Sequence, residues 1–277
     1  MRLWMRRDDF IKIFVIVFFL PLISGCGRGF HFSRQDILGV APGQPETVMP
    51  ARHDLRLGEK LTYEIKWMGI PVGIASFNVK EISQINGRDC YHIMVSVRSN
   101  SFLSKIYRVD DEFHTYMDKE KLHSLRFMKR QSEGRYRSHE VVDYDQEAHT
   151  GVYRSLINNS TKNLVITDNA QDNLSAIYYF RMQDLEPARP VLINVNADEK
   201  NWMLNIKVLQ AGSMSLYRIG KLKAIEVEPK AQTTEGKPLQ KGRVWIWFSA
   251  DENRIPLVAK ARAAIVGTVT AVLTDIE

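Results

Sequence analysis

Apolar and polar residues alternate along most of the chain beyond about residue 57. In the first such segment every second residue is apolar, and these residues are Leu61, Tyr63, Ile65 and Trp67. A period of two places them on one face of a β-strand and the polar residues between them on the other face. Residues 69–73, rich in glycine and proline, predict a turn. Asn86 and Gly87, which both tolerate a positive φ, predict a hairpin.

Short segments of the same kind recur to the C-terminus and predict further strands. They cover residues 75–79, 91–97, 113–117, 125–129, 140–144, 151–155, 191–195, 202–208, 216–219, 222–228, 244–248, 255–260 and 265–273. One segment differs, because its apolar residues recur at helical spacing from about residue 171 to 184. Asp172 can cap its start and Pro187 closes it. The pattern therefore predicts a mainly β fold: a long antiparallel meander forming a curved sheet, half-barrel or barrel, with one packed α-helix.

The first 25 residues have the pattern of a secretory signal peptide. A basic start precedes an apolar run at residues 13–23, which is about half the length that a membrane-spanning helix needs. Two small residues, Ser24 and Gly25, then lead to Cys26, as in the cleavage site of bacterial lipoproteins. We therefore predict a lipoprotein signal peptide at 1–25, cleavage between Gly25 and Cys26, and acylation of the Cys26 thiol.

The rest of the chain divides into a tether and a domain. Residues 26–56 hold several prolines and glycines without alternation, which predicts a flexible tether, and residues 57–277 are predicted to form a single β-rich domain. The membrane is then a predicted partner, reached through N-terminal acyl chains on the periplasmic face of the cell envelope. Gly27 rather than an aspartate follows Cys26, which favours the outer membrane.

Composition narrows the classes of function. The formal net charge is +6 and the sequence pI is about 9.2. This mild excess has no clustered basic face, so it does not indicate nucleic-acid binding. With Cys26 acylated, Cys90 has no partner for a disulfide, and its apolar neighbours predict a buried structural thiol. No phosphate loop, nucleophile elbow or zinc-site spacing occurs, so neither a cofactor nor a metal site is predicted.

Four stretches of the domain carry distinctive residues. They are 58–73, which begins with Gly58-Glu59, 111–118, 171–181 and 244–267. Together these stretches resemble those of a family of bacterial envelope proteins, domain of unknown function 3108 (DUF3108). The resemblance covers the chain from about residue 57 to the C-terminus. It implies an exported domain, similar in architecture to β-rich periplasmic carriers of lipids or lipoproteins, and no assigned reaction or catalytic residues.

Aromatic residues supply the candidate ligand site. Trp245, Trp247 and Phe248 crowd one short predicted strand, with Trp245 and Trp247 on the same face. Either this strand is buried on both faces, or it lines an apolar ligand groove together with Trp67. In the second case the helix that bears Tyr178 acts as a lid or plug.

Polar residues near the predicted helix are expected to be structural. Gln171, Asp172 and Arg181 are expected to fix the helix to the sheet, so each needs hydrogen-bond partners if it is buried. The acidic run at 110–112 lacks the spacing of a calcium motif, so we expect it at the solvated start of a strand.

These patterns favour a non-enzymatic, membrane-anchored periplasmic protein. We expect it to bind an amphiphilic envelope component, such as a lipid, or another envelope protein. Two alternatives stay open: a structural or assembly subunit of an envelope complex without a ligand pocket, and an envelope hydrolase.

Overall fold

The structure, a computed structural model, describes residues 49–186, 188–238, 242–263 and 267–277. The predicted signal peptide, the predicted cleavage and acylation site at Gly25 and Cys26, and residues 26–48 of the predicted tether lie outside the described residues. The described chain forms fourteen strands and two short helices: β1 (Lys60–Trp67), β2 (Ile70–Ile85), β3 (Arg88–Ser99), α1 (Ser101–Ser104), β4 (Asp110–Asp118), β5 (Ser124–Glu133), β6 (Tyr136–Asp145), β7 (Thr150–Ser155), β8 (Thr161–Val165), α2 (Ser175–Arg181), β9 (Val191–Ala197), β10 (Lys200–Leu216), β11 (Gly220–Thr233), β12 (Gly242–Ser249), β13 (Pro256–Ala263) and β14 (Gly267–Ile276).

All fourteen strands belong to one antiparallel sheet. The order across it is β8-β7-β6-β5-β4-β3-β2-β1-β14-β13-β12-β11-β10-β9, so almost every strand pairs with its neighbours in sequence. The exception is the β1–β14 pair, which joins the two halves of the chain. In the described residues no ladder of hydrogen bonds joins β8 to β9, and the sheet is curved but not closed. The predicted antiparallel meander with a packed helix is confirmed.

The connections divide between two ends of the sheet. The β1–β2 turn, α1 in the β3–β4 connection and the β5–β6 turn lie at one end, which we call the α1 end. The segment that carries α2 and the β12–β13 turn lie at the opposite end, the α2 end. The chain from Met49 to the start of β1 also lies at the α2 end, because Met49 bridges to Leu185 and the Arg52 amide donates to the Glu252 carbonyl.

Period-two alternation explains how the strands bury their apolar faces. In β1, Leu61, Tyr63 and Ile65 are buried while the residues between them are partly exposed. Such side chains form a larger apolar cluster that extends across most strands of the sheet and a smaller cluster at the β9–β12 side. Burial of this apolar surface provides most of the stabilising free energy of such a fold.

The predicted helix is shorter than expected. We expected it at 171–184, but α2 spans Ser175–Arg181. Before it, the backbone of Gln171 forms a parallel bridge with Val195 of β9, so this residue belongs to the sheet. After it, Met182 leaves helical geometry, and the Asp184 carboxylate accepts the Ala51 amide instead of lying on a helix surface.

Two local predictions also differ from the structure, and two short elements were not predicted. The predicted strand at 216–219 is wrong: Leu216 ends β10, and a turn with a fully exposed Tyr217 follows, which reverses the chain into β11. The predicted turn at 69–73 is confined to Met68 and Gly69, both at positive φ. Strand β8 and helix α1 were not predicted, because each is only four or five residues long and largely exposed.

Part of the predicted tether belongs to the folded body. Ala51 and Leu55, within the predicted range 26–56, are each 8% exposed and contact the domain. The contacts of the domain therefore extend back at least to Met49, eight residues before the predicted start at 57.

Candidate functional site

Helix α2 marks the candidate site, because the sheet curls around it. It contacts β4 and β9, which are far apart in the strand order, so both can reach it only if the sheet is strongly curved. Five of its seven residues are buried: Ser175, Ala176, Tyr178, Phe180 and Arg181. Tyr178 joins the larger apolar cluster, and Ala176 and Phe180 join the smaller one. The helix therefore lies between the two clusters on the concave side of the sheet.

A buried ion pair holds the C-terminal end of α2. The Arg181 guanidinium donates two hydrogen bonds to the Glu59 carboxylate, at 2.7 and 2.8 Å, and a third to the Asn253 carbonyl at 3.2 Å. It also lies over the Tyr178 ring, 5.1 Å from the centroid. Burial alone lowers the pKa of Arg181, but the hydrogen bonds and charge of Glu59 raise it more, so Arg181 stays charged. The pair joins α2 to the residue before β1.

Asp172 holds the N-terminal end of α2. Its carboxylate accepts the backbone amides of Leu174 and Ser175, at 2.7 and 2.9 Å, and so caps the first turn. It also accepts the hydroxyl groups of Thr115 on β4 and Ser124 on β5, both at 2.5 Å. Burial raises the pKa of Asp172, although all four hydrogen bonds act to lower it. The expected structural role of Asp172 and Arg181 agrees with these contacts.

Gln171 completes the attachment to the sheet. Its backbone amide donates to the Asn194 carbonyl at 2.8 Å, and its carbonyl accepts the Asn196 amide at 2.7 Å. Its side-chain amide donates to the Leu122 carbonyl at 2.7 Å. The residue is fully buried, and these three hydrogen bonds agree with the expected structural role, but its side-chain oxygen accepts no hydrogen bond from the described residues.

Arg254 is a buried residue that the sequence did not identify. It lies in the β12–β13 turn at φ 45° and is 1% exposed. Its guanidinium donates to the carbonyl groups of Gln183, Met49 and Pro50. Burial lowers its pKa to about 10, and the charges of Asp184 and Asp251 oppose this change. No local pattern distinguishes Arg254 from an exposed turn arginine, because all three partners are backbone carbonyls distant in sequence.

A small polar pocket opens at the α2 end, beside the ion pair. It is lined by Arg52, Asp54, Leu55, Arg56, Glu59, Arg181, Met182 and Asn253. Its cavity volume is about 10 Å³, which is the space of about one water molecule. The pocket as it stands is too small for an organic ligand.

The structure divides the five aromatic residues of the candidate groove between the two faces of the sheet. Trp247 pairs with Val258, which pairs with Val272 opposite Glu64, so Trp245 and Trp247 lie on the face that carries Glu64, whereas Trp67 lies on the other face with Tyr63. Trp247 and Tyr178 are buried in the larger cluster, and Trp67 and Trp245 pack against that cluster while partly exposed. Phe248 lies on the opposite face of β12, in the smaller cluster, where its ring centroid is 4.9 Å from that of Phe180. Both faces of β12 are therefore covered at Trp247 and Phe248.

The indole nitrogen of Trp247 lacks a hydrogen-bond partner in the described part of the chain. Its indole Nε1 is buried, and no described residue accepts a hydrogen bond from it. Trp202 in the smaller cluster differs, because its Nε1 donates to the Ala197 carbonyl at 3.3 Å. A buried donor without an acceptor costs about 1–3 kcal/mol, so this N–H group is a candidate contact for a bound molecule.

The acidic run at 110–112 corrects one expectation, because Asp111 is 2% exposed rather than solvated. Its carboxyl group lies beside that of Glu133, which is fully buried, and Gln131 donates to both. Burial, followed by the charge of Asp111, raises the pKa of Glu133 to about 9. Burial also raises the pKa of Asp111. The two carboxyl groups hydrogen-bond to each other, and Glu133 retains its proton at neutral pH.

Other candidate chemistry is limited. Cys90 is buried, as predicted, and burial raises the pKa of its thiol to about 11, so it is protonated and unreactive at neutral pH. Within the described ranges, no group of three or more histidine, cysteine or acidic residues is arranged to hold a metal ion. The described helices are also too short or too polar to cross a bilayer.

Comparisons with solved structures concern the fold. A β-barrel-like protein of domain of unknown function DUF1849 from Brucella abortus is similar, with a TM-score of 0.54 and 11% identity over 80% of this chain and 98% of that one. A protein described as exported, with a YmcC-like fold, from Bacteroides fragilis NCTC 9343 has a TM-score of 0.32 and 9% identity over 83% and 99% of the two chains. One described as a lipoprotein, from Parabacteroides distasonis ATCC 8503, has a TM-score of 0.34 and 10% identity over 84% and 100%. Only the first similarity is strong enough to support an argument, and it supports a barrel-like fold.

Sequence comparisons give the family. The comparison with curated proteins finds no match. The family model described as "Protein of unknown function (DUF3108)" matches residues 62–274, most of the chain. This match covers the end of the first distinctive stretch and all of the other three, so the resemblance is confirmed. The chain belongs to the DUF3108 family.

Proposed function

We propose that this protein is a lipid-anchored lipoprotein of the bacterial envelope, facing the periplasm, whose barrel-like domain binds an amphiphilic envelope component without catalysing a reaction. The arrangement of the polar residues supports binding over hydrolysis. Arg181 is paired with Glu59, and Asp172 accepts four hydrogen bonds, so these groups hold α2 in place and are already engaged in contacts within the protein. The Gly27 residue after the anchor favours the outer membrane.

The observation that carries the proposal is the unpaired indole N–H of Trp247 inside an apolar cluster. An amphiphile offers both partners that this environment lacks, namely an oxygen acceptor for the N–H group and an acyl chain for the aromatic surface. Trp245 lies on the same face of β12 as Trp247 and borders the same cluster. Because Trp247 is buried, binding requires a segment that covers this face of β12 to move outward.

A matched pair of substitutions tests this function. Trp247→Phe keeps an aromatic ring but removes the donor, whereas Trp202→Phe removes a donor that is already paired with Ala197. The ligand probe is cis-parinaric acid, a fluorescent fatty acid, and native mass spectrometry of the gently purified protein detects any lipid that co-purifies.

We expect Trp247→Phe to weaken binding of the fatty acid about tenfold, the effect of one lost hydrogen bond to a charged group. The free protein should become no less stable, because its unpaired donor is gone. Trp202→Phe should bind normally. If the wild-type protein neither binds the fatty acid nor carries a lipid, the function fails. If it instead crosslinks stably to one envelope protein, it is an assembly subunit.

The anchor is tested separately at its cysteine. Cys26→Ser should abolish incorporation of labelled palmitate in cells, whereas Cys90→Ser should leave it unchanged because the Cys90 side chain is buried. Labelling that survives Cys26→Ser would contradict the proposed acylation and, with it, the proposed location.

A further inference from the structure

Exposed apolar side chains are concentrated at the α1 end of the sheet. Eight of the thirteen large apolar residues that are exposed in the described chain lie there. Five of them surround the junction of the β1–β2 turn with α1, and we call them the α1 tip: Met68, Ile70, Ile74, Phe102 and Ile106, which are 63%, 55%, 55%, 60% and 74% exposed. Single exposed apolar residues are ordinary, but a contiguous group marks an interaction surface.

Backbone contacts hold the two parts of the tip together. The Asn100 amide donates to the Val72 carbonyl at 2.8 Å, and its side chain donates to the Pro71 carbonyl at 2.8 Å and caps α1 through the Leu103 amide. Within the α1 segment Leu103 is buried, whereas Phe102 and Ile106, four positions apart, are exposed. The tip is therefore a fixed feature of the fold.

The surroundings of the tip are basic. The two neighbouring connections and the strand ends that flank them carry five exposed basic residues, which are Arg98, Lys105, Arg108, Arg135 and Arg137. The acidic groups there are Asp110, which pairs with Arg98 and Arg108, and the buried pair of Asp111 and Glu133, of which Glu133 retains its proton at neutral pH. An excess of positive charge beside apolar side chains is complementary to the surface of an anionic bilayer.

We infer that the α1 tip inserts into the surface of an anionic lipid bilayer. Met68 lies in a two-residue turn, Ile70 and Ile74 at the start of β2, Phe102 in a single turn of helix and Ile106 just after it, and Ile106 and Met68 are the most exposed of the five. A fluid bilayer accepts such protruding side chains, whereas a protein partner needs a matching concave surface. The basic residues then bind lipid phosphates at the level of the headgroups.

The proposed acyl anchor is compatible with this orientation. Met49 lies at the α2 end, and β1, which runs from there to the tip, is 8 residues long, or about 27 Å. The 23 residues from Cys26 to Met49 span up to about 80 Å when extended. The anchor thus allows either end of the sheet to face the membrane, and insertion of the α1 tip orients the α1 end towards it.

The test uses the whole chain from residue 26 with Cys26→Ser, so that neither acyl chains nor the signal peptide contribute to binding. Co-sedimentation is measured with vesicles of phosphatidylcholine containing one quarter phosphatidylglycerol, and with vesicles of phosphatidylcholine alone. The variant Phe102→Asp/Ile106→Asp alters the tip. Its matched control, Val165→Asp/Tyr217→Asp, alters two apolar residues outside the α1 end that are even more exposed than Phe102 and Ile106.

We expect the protein to bind the anionic vesicles, and the tip variant to lose at least about tenfold in affinity, because two large side chains no longer leave water. The control variant should bind like the parent protein. Lys105→Glu and Arg108→Glu should each weaken binding to anionic vesicles at least about fivefold. All four positions are exposed, so these variants should fold.

Absence of vesicle binding by the parent protein, or equal losses in the tip and control variants, would overturn the inference. Crosslinking of the tip to a protein in cells, without vesicle binding, would also overturn it and assign the surface to that protein. The result is independent of the proposed ligand site, because it does not involve Trp247.

Discussion

At the scale of single residues, the burial of polar groups decides how the protein responds to pH. Glu133 and Asp111 lie together inside the sheet, where Ser132 and Gln131 donate hydrogen bonds to Asp111. The pKa of Glu133 is raised to about 9 in the folded protein from its ordinary value of 4.5. Between these values the unfolded chain has lost this proton and the folded protein has kept it. The free energy of unfolding therefore falls as pH rises through this window.

We predict that Glu133→Gln flattens this dependence. The glutamine amide has no proton to lose in this range. The free energy of unfolding of the variant, relative to that of wild type, should therefore increase from pH 5 to pH 8. Urea unfolding at several pH values measures this. Glu112→Gln is the control, because the hydrogen bond to His114 lowers the pKa of Glu112, so the change in that variant should be confined to acid pH. A slope unchanged by Glu133→Gln would contradict the prediction.

The Glu59–Arg181 pair leads to a second prediction at this scale. Each side chain is less than 10% exposed, so removing one charge leaves the other buried and unpaired. Glu59→Gln should therefore lower the free energy of unfolding by about 3–5 kcal/mol. The double variant Glu59→Leu/Arg181→Met removes both charges and should recover most of that loss. Chemical denaturation followed by circular dichroism compares them, and a double variant less stable than Glu59→Gln would exclude this explanation.

At the scale of elements, α2 depends on side chains outside the helix itself. It has seven residues, too few for an isolated helix to be stable in water. Asp172 provides both its N-terminal cap and its attachment to β4 and β5.

We predict that Asp172→Ala lowers the free energy of unfolding by about 3 kcal/mol, from the lost cap and the unpaired donors that remain. Amide hydrogen exchange should also become faster in α2. Asp168→Ala is the control, because its side chain is 80% exposed in the same connection and its ion-pair partner is His149. Equal exchange in the two variants would show that Asp172 does not hold the helix.

The sequence predicted these elements unevenly, for physical reasons. Alternation identified the strands of β1 to β7 because one face of each is buried. The same alternation also predicts that Asp111 is buried, because it is separated from the buried Phe113 and Met117 by even numbers of residues and so lies on their face of β4. This indication was overlooked. The partnership of Glu59 with Arg181 was not predictable, because 122 positions separate them and only the fold brings them together. The placement of Trp247 and Phe248 in different clusters likewise depends on which strands cover β12.

At the scale of the whole molecule, the sheet has a seam between its two edge strands. Side chains, rather than a ladder of backbone hydrogen bonds, connect the β8 side to the β9–β10 hairpin across it. The Asn201 side chain donates to the Val165 carbonyl at 2.8 Å, and Lys162 forms an ion pair with Glu199 at 2.7 Å. In contrast, the ion pair of Lys60 with Glu277, at 2.5 Å, joins β1 and β14, whose backbones are also hydrogen-bonded.

This contrast predicts that equivalent charge reversals have different effects at the two places. Lys162→Glu should open the seam, because it sets two negative charges together where no ladder holds the strands, and amide exchange in β8 and β9 should become faster. Lys60→Glu creates the same repulsion but should leave exchange in β1 and β14 nearly unchanged, because the ladder remains. Hydrogen exchange followed by mass spectrometry compares the variants, with β2 and β3 as internal references. Similar exchange at the two places would mean that the edge strands are joined as firmly as strands paired by a backbone ladder.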